Sequence, residues 1–122
     1  MKKIIAITLA VAMLCCFAMA LGSCGGNTIK VNTNAFFAPF EYYDASGNIV
    51  GVDVEIMNKV GEKLGKPVVF TNTDFSLIID NVNKGKYNAG AAGITITPSR
   101  EEKVDFTECY YNSNLVIIYK KG

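Results

Sequence analysis

Between Gly93 and Arg100 the sequence reads Gly-Ile-Thr-Ile-Thr-Pro-Ser-Arg. A glycine that lets backbone approach a ligand, two threonine hydroxyls and a guanidinium fall in one short stretch that follows an expected strand. The planar fork of Arg100 matches a carboxylate through two parallel hydrogen bonds, and Thr95 adds a hydroxyl. This is chemistry for recognising an anion rather than transforming one. The carboxylates Asp53, Glu55, Asp105 and Glu108 read as a helix cap and solvated faces, with no nucleophile and base paired beside them. The sequence contains no histidine, which removes imidazole metal sites and histidine-based triads, and its acids show no zinc or calcium spacing. No catalytic residue, metal or cofactor is expected.

The elements that would carry this stretch can be read from pattern. Ile29-Lys30-Val31-Asn32 alternates as a first strand ending near Thr33. Pro39 interrupts, and Asp44-Ala45-Ser46-Gly47 has the chemistry of a turn. Asp53 is the expected N-cap of a helix in which Val52, Ile56, Val60 and Leu64 recur every fourth residue, closed by Gly65 before Lys66-Pro67. Val68-Val69-Phe70 reads as a second strand. A second helix is expected from Ser76 to Lys84, with Ile78, Ile79 and Val82 inward and Gly85 as its stop. Asn88 to Ala92 follows as a strand of small residues. This order implies right-handed crossovers and a mainly parallel sheet, an α/β fold. Ligands of such sheets lie beyond the C-terminal ends of the strands, where Asn34, Phe75 and Gly93 all fall. Thr97 as N-cap with Pro98 in the first helical position starts a third, short helix that mounts Arg100 on ordered backbone.

Five segments occur in one order from Ile29 to Lys120. They are Thr33-Asn34-Ala35-Phe36-Phe37-Ala38-Pro39-Phe40-Glu41-Tyr42, Gly51-Val52-Asp53-Val54-Glu55-Ile56, Phe75-Ser76-Leu77-Ile78-Ile79, the Gly93 to Arg100 stretch, and Lys103-Val104-Asp105-Phe106-Thr107-Glu108 with Tyr110-Tyr111 and Leu115 to Tyr119. Together they resemble the extracellular solute-binding proteins of polar amino acid ABC importers (family 3). The resemblance implies a three-layer α/β/α type II periplasmic-binding-protein lobe. Residues 29–122 would be the N-terminal part of lobe one, with the second lobe and the returning segment absent, and Leu115 to Tyr119 would form the last strands before the crossover. Half a clamp is then expected to bind weakly, with marginal stability or self-association unless another polypeptide supplies the remainder.

The resemblance also implies roles. Arg100 would bind the ligand's α-carboxylate, helped by Thr95 and the backbone N–H of Gly93; the plainer reading makes Arg100 a surface partner of a nearby glutamate. Phe37 and Phe75 would sandwich the ligand side chain, or be ordinary core, as is preferred for Phe36, Phe40, Phe70 and Phe106. Asn34 stands where the family often has an aspartate for the α-ammonium. It supplies an acceptor without charge, or serves only to hold its loop. Asn88 and Cys109 also depart from the family pattern. Glutamine, glutamate, histidine, arginine, lysine and cystine are not ranked as ligands.

The N-terminus speaks to address. Lys2-Lys3 precedes an almost wholly apolar run from Ile4 to Leu21, and Leu21-Gly22-Ser23-Cys24 resembles a bacterial lipobox. Residues 1–23 are read as a lipoprotein signal peptide, Cys24 as the lipidated first residue, and 24–28 as a short tether. An uncleaved membrane anchor is the alternative, since the run reaches the minimum span. Either places the domain on the extracytoplasmic face of a bacterial cell membrane. The 12 lysines and arginines less Lys2 and Lys3 leave 10 against 11 acids, so no basic field invites nucleic acid. With Cys24 lipidated, Cys109 has no disulfide partner. The expected partners are a polar amino acid or similar solute, ABC permease subunits and the membrane. A ligand-sensing domain of a signalling or cell-wall-associated protein, or a non-binding structural lipoprotein, is the alternative.

Overall fold

The computed structural model describes residues 27–122; the expected signal peptide and the expected lipidation residue Cys24 lie outside the described residues. Its organising element is β1 (Ile29–Thr33), which pairs in parallel with β5 (Val68–Asn72) on one side and β6 (Ala89–Gly90) on the other. The registers are Ile29 opposite Val68 through Thr33 opposite Asn72, and Val31 opposite Ala89. A strand with neighbours on both edges is buried, and Val31, Asn32 and Thr33 are fully so. Asn88, the off-pattern residue, has a use here: its side-chain Oδ1 accepts from the Lys30 N–H at 2.8 Å while its own N–H donates to the Lys30 carbonyl. That extends the ladder one residue beyond β6.

Between β1 and the first helix lies a small antiparallel meander the sequence pattern did not disclose: β2 (Phe36–Phe37), β3 (Glu41–Tyr43) and β4 (Ile49–Val50). Its second turn forms as read. Asp44 Oδ1 accepts from the Ser46 and Asn48 N–H groups at 2.8 and 2.9 Å, and Gly47 takes φ 81. Phe36, preferred as core, is instead 74 % exposed on this sheet. Its ring meets Tyr43 edge-on, 6.2 Å between centroids, and the rest of that face is open.

Helix α1 (Val52–Leu64) closes on Gly65 in the left-handed conformation, as expected. Its start differs. The N-cap is Gly51, and the orphan N–H groups of Val52 and Asp53 donate to the carbonyls of Pro39 and Phe40 at 3.1 and 3.0 Å. Asp53 is therefore not the cap: it sits inside the first turn with a buried side chain. The helix packs on β5 through Gly61, where a Cβ would come within 2.4 Å of Val68. The stripe Val52, Ile56, Val60 and Leu64 is exposed. Ile56 and Val60 line one side of an open apolar groove of about 360 Å³, whose other walls include Ile79, Val82, Ile94 and Phe106.

The expected second helix is a 3₁₀ turn (Phe75–Leu77) running into α2 (Ile78–Asn83), with Gly85 at φ 68 beyond it. Ile78 is buried, and Ile79 and Val82 are half-buried. Helix α3 (Pro98–Glu101) begins after Thr97, whose hydroxyl caps no N–H but lies 3.3 Å from that of Ser99. Residues 105–122 form neither helix nor strand, so Leu115 to Tyr119 is not the expected strand. A strand needs an edge to pair with, and this segment pairs with neither outer edge of the β5-β1-β6 sheet; Leu115 is 102 % and Ile117 93 % exposed. The described residues form a single α/β/α lobe with a mainly parallel sheet.

Candidate ligand-binding site

The expected site residues converge on the C-terminal ends of the parallel strands. Asp74 sets the first of them: its carboxylate accepts from both the N–H and the hydroxyl of Ser76 at 2.9 Å, which holds the acid below its ordinary range and starts the 3₁₀ turn that presents Phe75. The Arg100 guanidinium carbon stands 5.4 Å from the centre of the Phe75 ring. Arg100 also donates through Nη1 to the Thr95 carbonyl at 2.7 Å. Two independent contacts thus fix the orientation of a guanidinium that retains further N–H donors. The glutamate-partner reading is not what forms. Among the described residues the ion pairs are Lys59 with Glu62 and Lys103 with Asp80.

Gly93 has φ 52, a left-handed conformation suited to glycine, and lies against Phe37: a Cβ here would meet the ring at 2.9 Å. Phe37 stacks on Phe40 at 5.3 Å between centroids and remains half exposed at 52 %. Phe37 and Phe75 are therefore on the surface, not in the core, and Thr95 is exposed beside them. One expected role is corrected. The Gly93 N–H is not free for a carboxylate, because it donates to Asp53 Oδ2 at 2.8 Å. Asn34 is partly committed too, its Nδ2 donating to the Thr73 carbonyl at 2.8 Å and tying the loop after β1 to the end of β5. Its Oδ1 is what remains for a ligand. Cys109 is an exposed free thiol outside this group.

Beneath Gly93 is a cluster that local sequence rules miss. Glu41 and Asp53 are 1 % and 2 % exposed, and Tyr110 donates its hydroxyl to Asp53 Oδ1 at 2.8 Å. Burial, then the adjacent Asp53 charge, pushes the Glu41 carboxyl up to about 8. Burial and the bond to Asp53 likewise raise the Tyr110 hydroxyl. One signal was available in the sequence. In Phe40-Glu41-Tyr42 the period of a strand puts the acid on the face opposite two aromatic residues.

The parallel sheet with its strand-end site is one lobe of a type II periplasmic binding protein. Residues 29–122 match the family model of bacterial extracellular solute-binding proteins, family 3, and the chain belongs to that family. A probable histidine-binding protein of Neisseria gonorrhoeae is 33 % identical, over all of this chain and 48 % of its own length. The arginine-binding extracellular protein ArtP of Bacillus subtilis is 32 % identical over 87 % of this chain and 45 % of its own length. Among solved structures, an ancestral arginine-binding protein bound to arginine superposes with a TM-score of 0.68 at 39 % identity, covering 70 % of this chain and 38 % of that one. A point mutant of the arginine-bound form of domain 1 of TmArgBP superposes equally well, TM-score 0.68 at 30 % identity, with 70 % of this chain and 66 % of that one covered. The chain spans less than half the length of these curated relatives. The family is one of solute binding.

Proposed function

We propose that this chain serves as the extracytoplasmic solute receptor of an amino acid ABC importer, with Arg100 holding the α-carboxylate of the ligand. One observation carries the reading: a guanidinium braced by Thr95 and Phe75, free of any carboxylate among the described residues, at the open strand-end edge. A carboxylate bound by such a group gains about 1.5–3 kcal/mol per charge-assisted bond. The Thr95 hydroxyl adds a donor, and the faces of Phe37 and Phe75 receive the ligand side chain. Asn34 Oδ1 offers the α-ammonium an acceptor without charge. A basic amino acid is the first ligand to test, because flat cations suit aromatic faces and because several relatives carry arginine or histidine in their names.

The remaining elements of the reading concern place and partners. Residues 1–23 direct export, lipidated Cys24 anchors the lobe to the outer face of the cell membrane, and permease subunits receive the solute. The exposed α1 stripe and the open groove are surfaces that a complementing second lobe, or a second copy of the chain, would cover.

The purified protein is titrated by calorimetry with L-arginine, L-histidine, L-lysine and L-glutamine, then again as Arg100→Ala. Saturable binding of at least one amino acid, weakened at least tenfold in the variant, is the expected result. Equal affinity in both proteins would remove Arg100 from the site, and no binding of any amino acid would overturn the function.

A further inference from the structure

The Glu41 and Asp53 pair has no part in holding a ligand, yet four separate stretches of chain meet on it. Glu41 comes from β3, Asp53 from the first turn of α1, Gly93 from the ligand loop and Tyr110 from the segment after α3. The two oxygens of Asp53 accept the Gly93 N–H and the Tyr110 O–H, each at 2.8 Å. Glu41 is buried close enough to Asp53 for that charge to act on its carboxyl, and its Oε2 is buried with no partner among the described residues. Two neighbouring buried carboxyl groups cannot both carry charge cheaply, and a proton kept by Glu41 relieves the repulsion.

We propose that Asp53 is a positioning residue for the ligand loop: it holds Gly93 by its amide, and it keeps that hold only while the neighbouring Glu41 stays neutral. The inference rests on the Gly93 to Arg100 stretch being the ligand site. Gly93 is the pivot of that stretch, since its left-handed turn sets Phe37 on one side and leads to Thr95 and Arg100 on the other. When the proton leaves, two adjacent negative charges push apart in a space without a counter-ion. The titratable groups around Glu41 and its partners are Asp53 from α1, and Tyr110 and Cys109 from the segment after α3; no lysine or arginine among the described residues contributes. Asp53 then moves off Gly93, and the loop loses its anchor. The Pro39 and Phe40 carbonyls still satisfy the N-terminus of α1, so the helix keeps its start.

The expected midpoint follows the Glu41 carboxyl, near pH 8. The full protein, labelled with ¹⁵N-glycine, is followed by NMR from pH 6 to 9.5 without ligand, the Gly93 resonance being assigned by its loss in Gly93→Ala. In the wild type the Gly93 amide proton should lie downfield at pH 6 and move upfield through a midpoint near 8. Glu41→Gln should keep it downfield at every pH. Asp53→Ala, which removes the acceptor, should abolish the downfield position, and if that variant fails to fold, Glu41→Gln decides alone. L-arginine affinity, measured over the same range, should fall at least threefold above the midpoint in the wild type and stay flat in Glu41→Gln. A Gly93 amide that does not titrate, or that titrates equally in Glu41→Gln, overturns the inference. A protein that binds no amino acid while its Gly93 amide still titrates overturns the proposed function and leaves the loop anchor standing.

Discussion

Replacing Gly93 by alanine tests the geometry of the ligand loop most directly. At φ 52 the residue is left-handed, which costs a side chain roughly 1–2 kcal/mol. The added Cβ would stand 2.9 and 3.0 Å from two carbons of Phe37, closer than real contacts allow. The half-exposed ring can swing outward, but it then gives up its stack on Phe40, worth about 0.5–1.5 kcal/mol. Alanine also stiffens the unfolded chain, which returns about 0.4–1 kcal/mol. The net expectation for Gly93→Ala is a loss of about 1–3 kcal/mol in urea unfolding at unchanged slope. Gly47→Ala serves as the control, because Gly47 also has positive φ, 81, but nothing within 4 Å of its Cβ; it should show backbone strain only. In a double-mutant cycle, Phe37→Ala should absorb part of the Gly93→Ala penalty, since it removes the ring that the methyl displaces. Additive effects in that cycle, or a Gly93→Ala loss no larger than that of Gly47→Ala, would refute the packing of Phe37 on Gly93.

Three further expectations follow from contacts elsewhere. Asn32→Ala should cost about 2–4 kcal/mol by urea unfolding, because Asn32 is fully buried and bonds Thr71, Thr73 and Asn81, whose partners would be left unsatisfied. Phe75→Ala should weaken L-arginine binding several-fold in calorimetry while changing stability by under about 1 kcal/mol, since the ring is 39 % exposed but braces Arg100. Glu41 holds its proton to about pH 8 when folded and releases it near 4.5 when unfolded, so the unfolded state binds fewer protons between those values. Stability of the wild type should therefore fall as pH rises across that window and level off above it; Glu41→Gln should flatten the slope, as read from urea midpoints at pH 5.5 and 8.5.

Much of the lobe was legible because its signals are local. The alternation in Ile29 to Thr33, the chemistry of Asp44 to Gly47, and Gly65 and Gly85 each act through neighbours a few residues away, and all took the expected form. The rule that strand ends gather ligands brought Asn34, Phe75 and Gly93 together, and the family resemblance added Phe37, Thr95 and Arg100 to them. What escaped depends on distant partners. Asp53 beside Gly51 has every local mark of a cap, but its actual partners, Gly93 and Tyr110, stand 40 and 57 residues away. The N–H of Gly93 looked available only because the acid that takes it is remote. Phe36 and the stripe on α1 carry apolar residues whose cover, if any, is not among the described residues, and periodicity alone says nothing about what lies opposite a face.

The bare stretch Leu115 to Tyr119 has a practical consequence for anyone handling the molecule. It is a β-prone, uncharged run with almost its whole surface in water, bounded by Lys120 and Lys121. Two adjacent cations act as gatekeepers against strand-to-strand stacking, and their repulsion weakens as salt shortens its range to about 3 Å at 1 M. Shelf life and working concentration should therefore be set by ionic strength, with turbidity or fibril growth appearing first in high-salt buffers.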